Sequence, residues 1–148
     1  MTTYTQIYYH IIFSTRDRLP TLEVDKHQEL FGYIWGVIKN KRCHLYRING
    51  TSDHLHILCD LHPSVCLADL VKAIKLGSGK WIKEKEVFPN FTGWQDGYGA
   101  FTLTLNERDV VREYIRNQPQ HHQQISFIDE LRNLLIDAGI EFEERYLG

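Results

Sequence analysis

The chain has 148 residues, 43% hydrophobic and 24% charged, a balance that fits one compact domain over its whole length and excludes a disordered polymer. Its formal net charge is −2 and its pI about 6.4, so no overall basic field draws it to nucleic acid; phosphate contacts must come from local patches. No apolar run approaches the roughly 20 residues that span a bilayer.

The opening MTTYTQIYYHIIF has no charged start, long apolar stretch or small-residue cleavage site, which predicts no secretory signal. Three cysteines, Cys43, Cys59 and Cys66, form no C-x-x-C pair and read as reduced thiols of a cytoplasmic protein. Residues 4–14, YTQIYYHIIFS, are dense in β-branched and aromatic side chains and predict a buried strand, ended by Arg16, Asp17, Arg18 and Pro20. From about Val24 to Arg42 the apolar positions Leu30, Phe31, Ile34, Trp35, Val37 and Ile38 recur at helical spacing. HLYRI predicts a short strand, Asn49-Gly50 a turn, and HLHILCDL a second strand, together a hairpin.

A second helix is expected from about Leu67 to Glu86, with Leu70, Ile74, Trp81 and Ile82 on one side and Lys72, Lys75, Lys80 and Lys83 on the other. Gly77 and Gly79 inside it point to a close backbone contact or a kink. After a loop marked by Pro89 and Gly93, WQDGYGAFTLTL predicts a strand, and Asn106 an N-cap for a helix carrying VVREYIRNQ. Pro119 ends or kinks that helix. The polar run PQHHQQ leads to Ser126 and Asp129, a capping pattern for a last helix ending near Gly139. The order strand–helix–strand–strand–helix–strand predicts an α+β, ferredoxin-like (split βαβ) antiparallel sheet with helices on one face, plus C-terminal helices.

His54 and His56 flank Leu55 in the second hairpin strand, so both imidazoles emerge on one face as possible neighbouring metal ligands. An H-x-H pattern alone is more often a polar sheet face. Tyr114 and Gln118, four apart, share a helical face; a tyrosine is a poor nucleophile unless its proton is removed or its target polarised. Read singly, they are a half-buried and a solvated helix residue.

Together, the strand His-x-His and the helical Y-x-x-x-Q resemble the HUH family of single-strand nucleases. More closely, the chain is similar to the single-tyrosine transposases of the IS-two-hundred-like insertion sequences. The resemblance runs through YYHIIFSTRDRLP, SDHLHILCDLHPSVCLADLVKAIKLGSGKWIKE, FTGWQDGYGAFTLT, EYIRNQPQHHQQISFIDE and GIEFEERYLG. It departs at Gly77 and Gly79, where relatives more often carry serine or alanine, and at Pro119, where a helix former is expected.

The resemblance implies that His54, His56 and Gln118 hold a divalent cation, Mg2+ or Mn2+, and that Tyr114 attacks the scissile phosphate to leave a 5′-phosphotyrosine and a free 3′-hydroxyl. It also implies hairpin-bearing single-stranded DNA as substrate and a homodimer as the working form. Candidate DNA contacts are Arg16, Arg18 and the lysines Lys72, Lys75, Lys80 and Lys83. Trp94 and Tyr98 read as core or dimer contacts ahead of base-stacking platforms, and His121-His122 as a solvated linker. Two rival readings stay open: a domesticated relative that grips DNA hairpins without cutting, and a metal-dependent phosphoesterase in which water attacks.

Overall fold

In the computed structural model, which describes residues 1–147, the sheet is built from β1 (Tyr8–Ser14), β2 (Leu45–Gly50), β3 (His54–Asp60) and β4 (Gly99–Leu103). The strands lie in the order β2-β3-β1-β4, and each neighbouring pair is antiparallel. This is the split βαβ arrangement, with β3 seated between β2 and β1.

The pleat separates two chemistries. Ile11 and Phe13 of β1 share a core with Leu55, Ile57 and Cys59 of β3. Helices α1 (His27–Asn40) and α2 (Leu67–Lys85) cover that face with Leu30, Ile34 and Ile38 and with Leu70, Val71, Ile74 and Ile82. On the other face, Ile12 stands opposite His56, Ser14 opposite His54 and His10 opposite Leu58. That face lies under α3 (Leu105–Arg116), α4 (Gln118–His121) and α5 (Phe127–Asp137).

Helix α2 runs through its glycines unbroken. Gly77 serves a close approach: a Cβ there would stand 3.1 Å from the Tyr33 hydroxyl, whose ring stacks on Trp81 at 5.0 Å. Trp94 joins the core, 7% exposed, and its indole N–H donates to Ser78 at 3.0 Å.

Three local expectations are corrected. Asn49 and Gly50 do not turn the hairpin: they remain in β2, opposite His56 and Leu55, and residues 51–53 make the reversal. Gly50 is required by proximity, because a Cβ there would collide with the His54 carbonyl oxygen. The cap of α3 is Thr104, not Asn106; its hydroxyl accepts from the Glu107 N–H while the Glu107 carboxylate accepts from the Thr104 N–H. A reciprocal box satisfies two orphan backbone donors, whereas Asn106 satisfies none here. Finally, Tyr114 and Gln118 do not share one helix. The chain breaks at Asn117, and Pro119 sits in the first turn of α4, where a missing N–H costs nothing.

Candidate active site

Strand β3 delivers His54 and His56 fully buried, both at 0% exposure. Each imidazole is held from behind. His54 Nδ1 lies 2.6 Å from the Asp53 carboxylate, and His56 Nδ1 lies 2.7 Å from His10 Nε2. A partner on Nδ1 fixes the ring and turns Nε2 inward.

Those inward nitrogens meet side chains from the C-terminal helices. Gln118 is fully buried; its Oε1 is 3.4 Å from His54 Nε2, and its Nε2 donates to Glu130 at 3.0 Å. Glu130, 2% exposed, is the hub. His56 Nε2 and His122 Nε2 each lie 2.9 Å from its Oε1, His54 Nε2 is 3.6 Å from the same oxygen, and the Tyr114 hydroxyl donates to Oε2. Ligand atoms of His54, His56, His122 and Glu130 all fall within 4.8 Å of one another. The Phe127 ring lies 4.6 Å from that of His54 and helps shut water out.

Burial sets the protonation pattern. It would push the Glu130 carboxyl up, but hydrogen bonds from His122 and His56 outweigh it and hold the group well below the usual carboxylate range. Burial lowers His56 to about 4 despite Glu130, and lowers His10 to about 3 with help from His56. Both rings are therefore neutral at pH 7, the form in which imidazole binds metal. Burial, followed by the bond to the Glu130 carboxylate, raises the Tyr114 hydroxyl above its ordinary range, so the resting tyrosine is the neutral phenol.

The structure thus brings together His54, His56, Tyr114 and Gln118, and adds Glu130, His122 and His10. The reading of His121-His122 as a solvated linker is corrected. His122 is 9% exposed in its side chain and reaches Glu130, while His121 keeps 35% and stands 3.4 Å from the same carboxylate. A signal for Glu130 exists in the sequence: it falls within the stripe Phe127, Leu131, Leu134 that α5 turns inward.

The basic candidates lie elsewhere. Lys72, Lys80 and Lys83 are exposed on α2, across the sheet from this cluster. Lys75 is not a free cation: its ammonium donates to the carbonyls of Gln95 and Gly97 at 2.8 and 2.5 Å. Arg16 donates to the Thr92 carbonyl at 3.1 Å, and Arg18 lines a cavity of about 270 Å³ beside β4 together with Tyr98.

The family model described as "Transposase IS200 like" matches residues 3–118. The chain belongs to the IS200-like transposases. The ISDra2 transposase TnpA of Deinococcus radiodurans is 27% identical over 128 residues, which cover 76% of this chain and 84% of that relative. Two solved structures share the fold of this IS200-like chain. A candidate transposase from Deinococcus radiodurans R1 has a TM-score of 0.62 at 23% identity, covering 80% of this chain and 95% of its own. A REP-associated tyrosine transposase bound to a REP hairpin has a TM-score of 0.61 at 16% identity, covering 84% and 76%. Glu130 and His122 stand beyond the residues that the transposase family model matches.

Proposed function

We propose that this transposase cleaves and rejoins single-stranded DNA by transesterification, with Tyr114 as nucleophile and His54, His56 and Gln118 beside it as metal ligands. The observation that carries the reading is the meeting of the Tyr114 hydroxyl with Glu130, whose other oxygen faces both strand histidines. A half-buried tyrosine set against a buried carboxylate among four imidazoles has no evident structural need for that setting.

The donor set fits a divalent cation. Two imidazoles oriented from behind, an amide oxygen and an ionised carboxylate offer hard and borderline donors in one small volume. His54 and His56 would bind through Nε2, Gln118 through Oε1 and Glu130 through its carboxylate, with His122 hydrogen-bonded to it. Bound there, Mg2+ or Mn2+ supplies charge neutralisation on the scissile phosphate.

The chain's own groups account for the proton and the nucleophile. Glu130 Oε2, hydrogen-bonded to the Tyr114 hydroxyl, takes its proton as the phenolic oxygen bonds to phosphorus and passes it to the O3′ that leaves as the P–O3′ bond breaks, so the cut end is a 3′-hydroxyl. The 5′-phosphotyrosine keeps the phosphodiester's bond energy, so attack by another 3′-hydroxyl restores a strand and returns the proton to Tyr114. The same reading includes hairpin-bearing element ends as substrate, supported by the hairpin-bound structural relative, and a homodimer working in the cytoplasm.

The test is incubation of end-labelled single strands, drawn from DNA flanking the native gene, with Mg2+ or Mn2+, followed by a denaturing gel. The expected result is a slow-migrating protein–DNA adduct that needs metal and falls by a factor of about 10³ or more in Tyr114→Phe. Cleavage without an adduct would replace the tyrosine with water as nucleophile. Binding without cleavage across all flanking strands would make this a DNA-binding relative.

A further inference from the structure

Strand β2 carries an irregularity beside the site. Leu45 pairs with Cys59 and Ile48 with Ile57, yet Arg47 pairs with Leu58, so Tyr46 is an extra residue. Leu45 and Ile48 both pack on the apolar core. The two residues between them, Tyr46 and Arg47, therefore both face the α3 side, which strict alternation forbids. Re-aiming side chains is what a β-bulge does.

What they meet there is a row of cations and rings. The Arg108 and Arg112 guanidinium carbons of α3 stand 5.0 and 5.8 Å from the centre of the Tyr46 ring, and Arg108 also lies 5.6 Å from the Tyr8 ring. Tyr46 meets Tyr8 edge-on at 5.6 Å and His44 at 4.5 Å. The buried Nε atoms of Arg47, Arg108 and Arg112 have no hydrogen-bond partner among the described residues, while 24% and 38% of the Arg108 and Arg112 side chains remain exposed.

These guanidiniums are poorly neutralised. Asp109 approaches Arg108 and Arg112 only to 3.8 and 3.9 Å, and Asp60 accepts from the His44 N–H at 2.6 Å. By contrast, Arg132 is saturated by Glu144 at 2.7 and 2.8 Å and by Asp129 at 2.6 Å. Arg108 spends one donor on the Tyr8 hydroxyl at 3.5 Å, and guanidiniums set against aromatic rings with part of each side chain still exposed suit oxyanions such as phosphodiesters. The row starts near the nucleophile: Tyr8 lies two residues from His10 on one face of β1, and the His10 ring stands 6.1 Å from that of Tyr114.

We propose that Arg47, Arg108 and Arg112, arrayed around Tyr46, form the track that binds the phosphodiester backbone of the DNA single strand at the cleavage site. This rests on the transposase reading above for the identity of the strand, but not on its chemistry. The arginines grip successive phosphates, and Tyr46 offers the edge of a stacking surface to a base.

The test is fluorescence anisotropy without metal, in a Tyr114→Phe background, using labelled oligothymidylate of about 20 nucleotides across a salt series. Arg108→Gln with Arg112→Gln is expected to weaken binding about tenfold and to flatten the log–log salt slope by roughly 0.7 for each phosphate left without its arginine. Arg47→Gln, on the edge strand, is expected to act in the same direction and serves if the double variant fails to fold. Arg108→Lys with Arg112→Lys should keep the slope. Arg132→Gln removes the same charge elsewhere and should change neither quantity. Unchanged affinity and slope in the α3 and β2 variants would overturn the proposal. So would a loss confined to Lys80→Gln with Lys83→Gln, which would put the strand on α2. Arginine-dependent binding in a wild-type chain that forms no adduct would sink the tyrosine chemistry and leave the track standing.

Discussion

Asp53 and His10 decide what the two strand histidines can do. A buried imidazole with Nδ1 unengaged rotates or takes the wrong tautomer; here Asp53 and His10 each occupy one Nδ1 at 2.6 and 2.7 Å. Asp53 is itself fixed by the Thr51 hydroxyl at 2.9 Å. Asp53→Ala should therefore cost metal affinity without removing any ligand, by about 10- to 100-fold. Calorimetric titration with Mn2+ checks this, and affinity equal to wild type would show that His54 is oriented without Asp53, by the Thr51 hydroxyl 3.0 Å from its Nδ1 and by packing against Phe127. His54 and His56 are readable from strand alternation, because a period of two needs no tertiary knowledge. His10 is not: β1 is buried on both faces, so its sequence shows no alternation to assign it a side. Glu130 is hidden for a different reason. A carboxylate on an apolar stripe is visible, but what it meets depends on where α5 docks.

Among the elements, those with strong periodicity are legible and their ends are not. The interiors of α1 and α2 follow the Leu30–Ile34–Ile38 and Leu70–Ile74 spacing, which propensity and burial support together. Ends are set by single hydrogen bonds that compete closely. Asn106 is as good a cap type as Thr104, but only Thr104 has Glu107 three residues on. Thr104→Ala is expected to destabilise the fold by about 1 kcal/mol, whereas Asn106→Ala, on an exposed position of the first turn, should stay within about 0.5 kcal/mol. Urea denaturation of the two variants discriminates them. A larger loss from Asn106→Ala would move the cap from Thr104 to Asn106 and shorten α3 at its start. The Asn49-Gly50 pair misleads in the same way: a strong turn dipeptide is overridden because Gly50 is needed where β2 passes the His54 carbonyl.

Taken whole, the molecule is a sheet with two unlike coats. The α1–α2 side buries nine residues, four in α1 and five in α2, whereas α3 buries only Ile115, α4 only Gln118 and α5 only Phe127 and Glu130. Apolar area is the main source of cohesion, so the C-terminal layer is held largely by the Glu130 hub and should open locally at lower free energy than the rest. A ligand that binds only the closed layer stabilises it by RT ln(1 + [L]/Kd), about 2.7 kcal/mol at 100 times Kd, or roughly 100-fold in opening equilibrium. Hydrogen exchange read by mass spectrometry tests both steps. Without metal, amides of α5 should exchange well before those of α1 and α2. With Mn2+ near 100 times Kd, α4 and α5 should slow by up to about that factor and return on chelation. Equal protection of α5 and α2 in metal-free protein would remove the distinction between the coats. Slowing at β3 alone, with α5 unchanged, would show that the histidines bind metal without Glu130, and the carboxylate would then be left as the partner of Tyr114 and His122 only.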